Sequence, residues 1–290
     1  MSRPALFVEY LAWARTLLVM RGIPIEDVLN SMNALFFVIE EQLSPEAATV
    51  LRPYLDGGLQ ALAAESEPPS TFLDTRDPLI EMTRSYLELL LKGKRNAASQ
   101  LILEAVRGGM SISDVYLRVF RPAQYEVGRL WHTNQISVGQ EHLFTAATQH
   151  IMSQLYDRIF STRRNGRALV ATCVGGDLHE IGCRMLADLF EMDGWDTYYL
   201  GANTPSASVL KAVEDHQAEL LCISATMSFH LRSVAELVAA ARKAHPTRKL
   251  TILVGGYPFK VETSLWREVG ADASAGSAEE AVQLMRRPPA

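Results

Sequence analysis

Two side chains able to do chemistry together stand one residue apart, at Asp177 and His179. They lie in Cys173-Val-Gly-Gly-Asp-Leu-His-Glu-Ile-Gly182, after a short apolar run at 167–172. Met185, Leu186, Leu189 and Phe190 follow at helical spacing. The pattern predicts strand, tight loop and helix. A loop at the carboxyl end of a parallel strand is where open α/β sheets bind ligands. An imidazole there can ligate a metal through one ring nitrogen. Its other nitrogen then needs an acceptor that fixes the tautomer and raises basicity. Asp177 is placed to be that acceptor, and Gly175, Gly176 and Gly182 permit a tight turn beside something large. The loop lacks the glycine spacing of a dinucleotide or P-loop site. It offers one good ligand, which holds a lone zinc or iron ion poorly. A metal already carried by a macrocycle needs only one axial ligand, which points to a corrinoid or a haem.

At this point the sequence resembles a family. Asp177-x-His179-x-x-Gly182 is similar to the cobalamin-binding motif of the methionine synthase and methylmalonyl-CoA mutase type. The resemblance implies that His179 replaces the cofactor's dimethylbenzimidazole on cobalt, with the nucleotide tail buried in the α/β domain. Leu221-Cys-Ile-Ser-Ala-Thr-Met-Ser228 looks like the strand and serine-bearing loop along the tail pocket. Leu253-Val-Gly-Gly256, followed by Gly270-Ala-Asp-Ala273, looks like the glycine pair and last-strand signature. On this resemblance Ser224 and Ser228 hydrogen-bond the tail, Gly255 and Gly256 flank it, and Tyr257 packs on it.

The elements that must position these residues follow from periodicity. Over 164–290, apolar strands alternate with amphipathic helices, which predicts a doubly wound parallel five-stranded sheet. Over 78–163, helical segments separated by Gly93, Gly108-Gly109 and Ser113-Asp114 predict a four-to-five-helix bundle. Residues 1–66 predict a small N-terminal helical domain, its third helix starting at Ser44-Pro45 with an interruption expected near Pro53 or Gly57-Gly58. Glu67-Pro-Pro-Ser-Thr71 is a Pro- and Ser-rich break taken as the linker. The fold class is therefore α/β plus all-α.

In the bundle, Trp131-His132 precedes Glu141-His142, with nine residues between Trp131 and Glu141. An indole, two imidazoles and a carboxylate suit a polar, flat upper ligand such as a 5′-deoxyadenosyl group. The arrangement resembles the adenosylcobalamin-dependent photoreceptors of the CarH type over about 78–290. The resemblance implies that Trp131 and Glu141 contact the adenosyl group, that His142 completes the motif, and that His132 becomes a second metal ligand beside His179 after light breaks the cobalt–carbon bond. Those photoreceptors usually begin with a winged-helix DNA-binding domain, which the 1–66 segment does not resemble. Its only arginines are Arg3, Arg15, Arg21 and Arg52, too few for a recognition helix among phosphates. The expectation is a light-sensing regulator signalling through a protein partner, such as a transcription regulator, on the N-terminal helices. Direct DNA binding is not expected, and a homo-oligomer stays open.

Two alternatives remain: a methyl-carrying corrinoid protein of a methyltransferase system, or the same fold holding haem or a linear tetrapyrrole. The 290 residues suffice for two or three domains, and the formal net charge of −5 provides no global attraction for nucleic acid or acidic membranes. Three cysteines without a Cys-x-x-Cys suit a reducing cytoplasm. No apolar run is long enough to span a membrane. No nucleophilic triad is apparent.

Overall fold

A computed structural model describes residues 3–64, 67–246 and 249–286. The ends of the expected domains at 65–66 and 287–290 lie outside the described residues. The chain divides into two compact units, Met1–Thr148 and Gln149–Ala290.

The first unit is helical: α1 (Pro4–Val19), α2 (Ile25–Gln42), α3 (Pro45–Ala63), α4 (Ile80–Leu91), α5 (Arg95–Arg107), α6 (Ile112–Asp114), a π-helical segment (Val115–Phe120) and α7 (Arg121–His132). Helix α8 (Val138–Gln154) continues into the second unit. Ser44 caps α3 by accepting from Ala47 N–H at 3.3 Å, and Pro45 occupies its first turn. The helix runs unbroken through Pro53 and Gly57-Gly58. The glycines let α1 approach closely: a Cβ on Gly58 would sit 2.5 Å from Leu11 Cδ1. The π-helical segment has a local cause in Pro122. Proline has no N–H for the Arg118 carbonyl, and its ring crowds that carbonyl. The buried Thr83 hydroxyl reaches across from α4 and donates to it at 2.9 Å.

The Pro-rich break is tied down. Glu126, nearly fully buried on α7, accepts from Thr71 Oγ1 (3.0 Å) and Phe72 N–H (2.9 Å), and Arg129 pairs with the same carboxylate. Phe72 packs on Tyr125 with ring centroids 5.5 Å apart. Asp77 closes the break by accepting from Leu79 N–H (2.7 Å) and binding Arg118.

The second unit begins with the end of α8 and α9 (Tyr156–Ile159), then alternates strand and helix. Its elements are β1 (Ala168–Cys173), α10 (Ile181–Met192), β2 (Asp196–Gly201), α11 (Ser206–Asp215), β3 (Leu220–Ser224), a 3₁₀ turn (Ser228–His230), α12 (Leu231–Ala244), β4 (Thr251–Gly255), α13 (Tyr257–Val261), α14 (Leu265–Glu268), β5 (Ala273–Ala275) and α15 (Ala278–Arg286). All five strands are parallel in the order β2-β1-β3-β4-β5. Inner strands β1 and β3 are buried nearly end to end, as a parallel sheet covered on both faces requires. This is the doubly wound parallel five-stranded sheet read from the sequence. After β1 the chain turns to β2 on one side and then to β3 on the other. The switch point therefore lies between β1 and β3, where such sheets bind ligands. Among the described residues, no helix is long and apolar enough to cross a membrane.

Candidate functional site

The loop between β1 and α10 emerges at this switch point, and its geometry is set by Asp177. The carboxylate is wholly buried while the His179 side chain beside it is 63% exposed. Asp177 Oδ1 takes the His179 ring at Nδ1 (2.8 Å) and accepts from the His179 backbone N–H (3.0 Å). Asp177 Oδ2 accepts from Thr226 N–H at 2.5 Å, across the switch from the loop after β3. Burial alone would raise the Asp177 carboxyl. The hydrogen bonds from His179 and Thr226 outweigh that and hold it below the usual carboxylate range. An ionised acceptor at Nδ1 selects the Nδ1–H tautomer of His179, so ligation would run through Nε2.

Asn203, from the loop after β2, braces the other side. Its Oδ1 accepts from Gly176 N–H at 2.8 Å, and its backbone N–H donates to Asp177 O at 3.0 Å. Glu180, next to His179, accepts from Tyr199 OH (2.8 Å) and Gln149 Nε2 (2.6 Å). Three buried free cysteines, Cys173, Cys183 and Cys222, lie in this unit. The hydrogen bond with Cys173, and then burial, push the Cys183 thiol up, and burial does the same to Cys222. Both stay protonated, which suits packing rather than metal binding.

The residues fit a macrocycle better than a bare ion. A Cβ on Gly182 would meet nothing within 4 Å, and one on Gly175 only Thr204 O at 3.9 Å, so the loop borders open space. Among the described residues, no group of three His, Cys, Asp or Glu could hold a metal ion. Ser224 ends β3 level with Cys173 and Gly255, and Ser228 opens the 3₁₀ turn; both are half-buried at the ligand edge. Tyr257 is exposed at the start of α13. Gly256 is explained by the protein's own packing. It has φ +112°, and a Cβ there would lie 1.9 Å from Ala225 O. Its missing side chain lets two ligand-edge loops cross, whatever else it borders.

The four bundle residues separate into two pairs. Trp131 and His132 end α7 and face α1. The His132 ring stacks on Trp13 (centroids 4.9 Å apart, planes 14° apart), and its Nε2 bonds Trp13 O at 2.8 Å. Arg21 lies over the Trp131 ring at 5.1 Å and donates to Trp131 O and His132 O. Asn134 Nδ2 donates to Met20 O at 3.1 Å. Burial holds His132 below the usual histidine range, Arg21 adds to this, and the Trp13 carbonyl opposes it. Glu141 and His142 begin α8, with His142 Nδ1 2.7 Å from Glu141 Oε2 and Thr145 donating to Glu141 Oε1.

Thr226, Asn203, His230, Trp13 and Arg21 are not among the site residues that the sequence points to. Thr226 acts through its backbone, which no side-chain pattern reveals. Asn203 carries a φ of +50°, and an Asn in the Gly201-Ala-Asn-Thr-Pro205 loop was the available signal.

Comparison with known proteins agrees with this geometry. The B12 binding domain family matches residues 167–285, and a second B12 binding domain family matches 82–156. Monomethylamine corrinoid protein 1 of Methanosarcina acetivorans is 27% identical over 193 residues, covering 64% of this chain and 87% of that protein. The dimethylamine corrinoid protein of Methanosarcina barkeri is 20% identical over 205 residues, covering 70% of this chain and 94% of that protein. The solved structure of the Methanosarcina barkeri monomethylamine corrinoid protein shares the fold, with a TM-score of 0.63 at 21% identity over 71% of this chain and 98% of that one.

These relatives correct one expectation. They are methylamine corrinoid proteins, so the reading as a light-sensing regulator of the CarH type, with its transcription-regulator partner, is withdrawn. His132 as a light-generated cobalt ligand falls with it, its Nε2 being bonded to the Trp13 carbonyl under the Trp13 ring. With B12 binding domains at 82–156 and 167–285 and an Asp-clamped histidine at the sheet's switch point, the chain is a cobalamin-binding protein.

Proposed function

We propose that this chain is the methyl-carrying corrinoid protein of a methyltransferase system, working between separate protein partners. The observation that carries the cobalamin part is the Asp177–His179 clamp: an exposed imidazole whose Nδ1 is fixed on a buried carboxylate. The likeness to monomethylamine and dimethylamine corrinoid proteins over most of their length supports the carrier part.

In this reading His179 would hold cobalt through Nε2, and Asp177 would keep the ring in the tautomer that leaves Nε2 basic. Gly182 and Gly175 leave room beside the ring, while Ser224, Ser228, Gly255 and Tyr257 line the nucleotide tail. When bound, the corrinoid supplies a cobalt centre that takes a methyl group from one partner and gives it to another. A methyl group thus replaces the adenosyl group of the earlier expectation. In this reading the chain's work is to hold the group, supply a ligand to cobalt and present the carrier to methyltransferases.

The test is an absorption spectrum of the full chain reconstituted with methylcobalamin, for wild type and His179→Ala. The wild type should retain the cofactor through gel filtration with a histidine-ligated spectrum. The variant should show the spectrum without a lower ligand. An unchanged spectrum in the variant would remove His179 as the ligand. A wild type that retains no cobalamin would overturn the reading altogether.

A further inference from the structure

His230 is a buried imidazole that the proposed function leaves without a task. Its ring is about nine-tenths buried at the end of the 3₁₀ turn after β3, against the His179 loop. A Cβ on Gly176 would come 3.2 Å from its Nε2. Its Nδ1 has no hydrogen-bond partner and stands 3.7 Å from Asp177 Oδ2. The Phe229 ring meets it edge-on at 4.4 Å. A buried donor or acceptor without a partner is rare and asks for an explanation.

The carboxylate supplies one. An ionised Asp offers about four lone-pair positions. Three donors are in place: the His179 ring, the His179 N–H and the Thr226 N–H. The His230 Nδ1 faces Oδ2, the oxygen that so far accepts only from Thr226 among these donors. A small ring movement brings the 3.7 Å separation to the ordinary hydrogen-bond length of about 2.9 Å.

We infer that His230 is a positioning residue for the lower axial ligand: its Nδ1–H closes on Asp177 Oδ2 and fixes the carboxylate that in turn fixes His179. The inference rests on His179 being the cobalt ligand. His230 touches neither cobalt nor the transferred group in this account. With a second donor on Oδ2 beside the Thr226 N–H, Asp177 is held more firmly against the His179 ring, and Nε2 keeps its direction.

The experiment uses the full chain loaded with methylcobalamin and reads, by absorption, the ratio of histidine-ligated to unligated cobalt. Wild type and His179→Ala supply the two end spectra. His230→Ala should lower the ratio about tenfold, the scale expected for losing a partner of a metal ligand. His230→Asn, which restores an N–H near the same place, should recover most of it. An unchanged ratio in His230→Ala overturns the inference. Equal losses in the Ala and Asn variants overturn it too, since they would reflect packing alone. If His179→Ala keeps the wild-type spectrum, the axial reading itself has failed and takes this inference with it. A measurement without variants stands beside these: long-range nitrogen–proton NMR of the wild-type chain should find the His230 proton on Nδ1. A neutral ring with a bare Nδ1 facing the carboxylate would overturn the inference.

Discussion

Replacing Asp177 with Asn probes the clamp while keeping its shape. The carboxylate is fully buried and receives His179 Nδ1 and the His179 N–H on Oδ1, and the Thr226 N–H on Oδ2. An amide has one oxygen to offer. If it takes the Oδ1 place, the new NH₂ faces the Thr226 N–H, donor against donor, where 2.5 Å now separates nitrogen from oxygen. If it takes the Oδ2 place, the NH₂ faces the His179 N–H and donates to the ring. That ring must then carry its proton on Nε2, where it cannot ligate a metal. Either way a backbone N–H is stranded, at a cost of about 1–3 kcal/mol. Taking about 2 kcal/mol, and about 2–4 °C per kcal/mol for a chain of this size, the apo protein should melt about 4–8 °C lower at pH 7. The sign with pH follows from the depressed carboxyl. Its stabilisation is present above the unfolded carboxyl value of about 3.9 and is lost as pH falls through the lower folded value. Wild type and variant should therefore converge in strong acid. Calorimetric melts across pH decide it. Equal melting at pH 7, or a gap undiminished in acid, would refute the reasoning.

Two further outcomes are expected. Thr83→Val removes the hydroxyl that serves the Arg118 carbonyl and should destabilise the first unit by about 1 kcal/mol, read as a lower denaturant midpoint; no change would mean Pro122 alone accounts for the π-helical segment. Acidification below the ordinary histidine value of about 6.5 should weaken the contact between α1 and the end of α7, because His132 is held below that value in the docked form and the undocked form takes up the proton first. Tryptophan emission would follow this through Trp13 and Trp131. His132→Gln should lose the pH dependence, and an identical profile in that variant would locate the effect elsewhere.

The second unit was readable because its signals are local. Strand-like apolar runs, interposed helices and a His two residues after an Asp all lie within a few positions of one another. The first unit was read less well because what matters there joins residues far apart in sequence. Trp131-His132 looked like an open aromatic site, yet Trp13 covers it from more than a hundred positions away. Pattern alone predicts a break in the third helix near Pro53 or Gly57-Gly58, because proline and glycine weaken helices, whereas α3 runs through both and the packing of α1 rewards the glycines' missing side chains. Thr226 and His230 were missed for another reason. One acts through its main chain, and the other reaches Asp177 only because β3 lies next to β1 in the sheet.

The strap at 67–78 bears on how this protein could be cut or recombined. A proline-rich stretch between helical segments invites use as a seam, a place to start a fragment or splice in a foreign segment. Here that seam is stitched by Glu126 to Thr71 and Phe72 and by Asp77 to Leu79 and Arg118. A fragment beginning at Ile80 would leave the acidic Glu126 with Arg129 alone and would bare the Tyr125 face now under Phe72. Exchanging the first three helices between related chains should therefore carry residues 67–79 along with them. A protease offered the folded chain should find this stretch slower to cleave than its composition suggests.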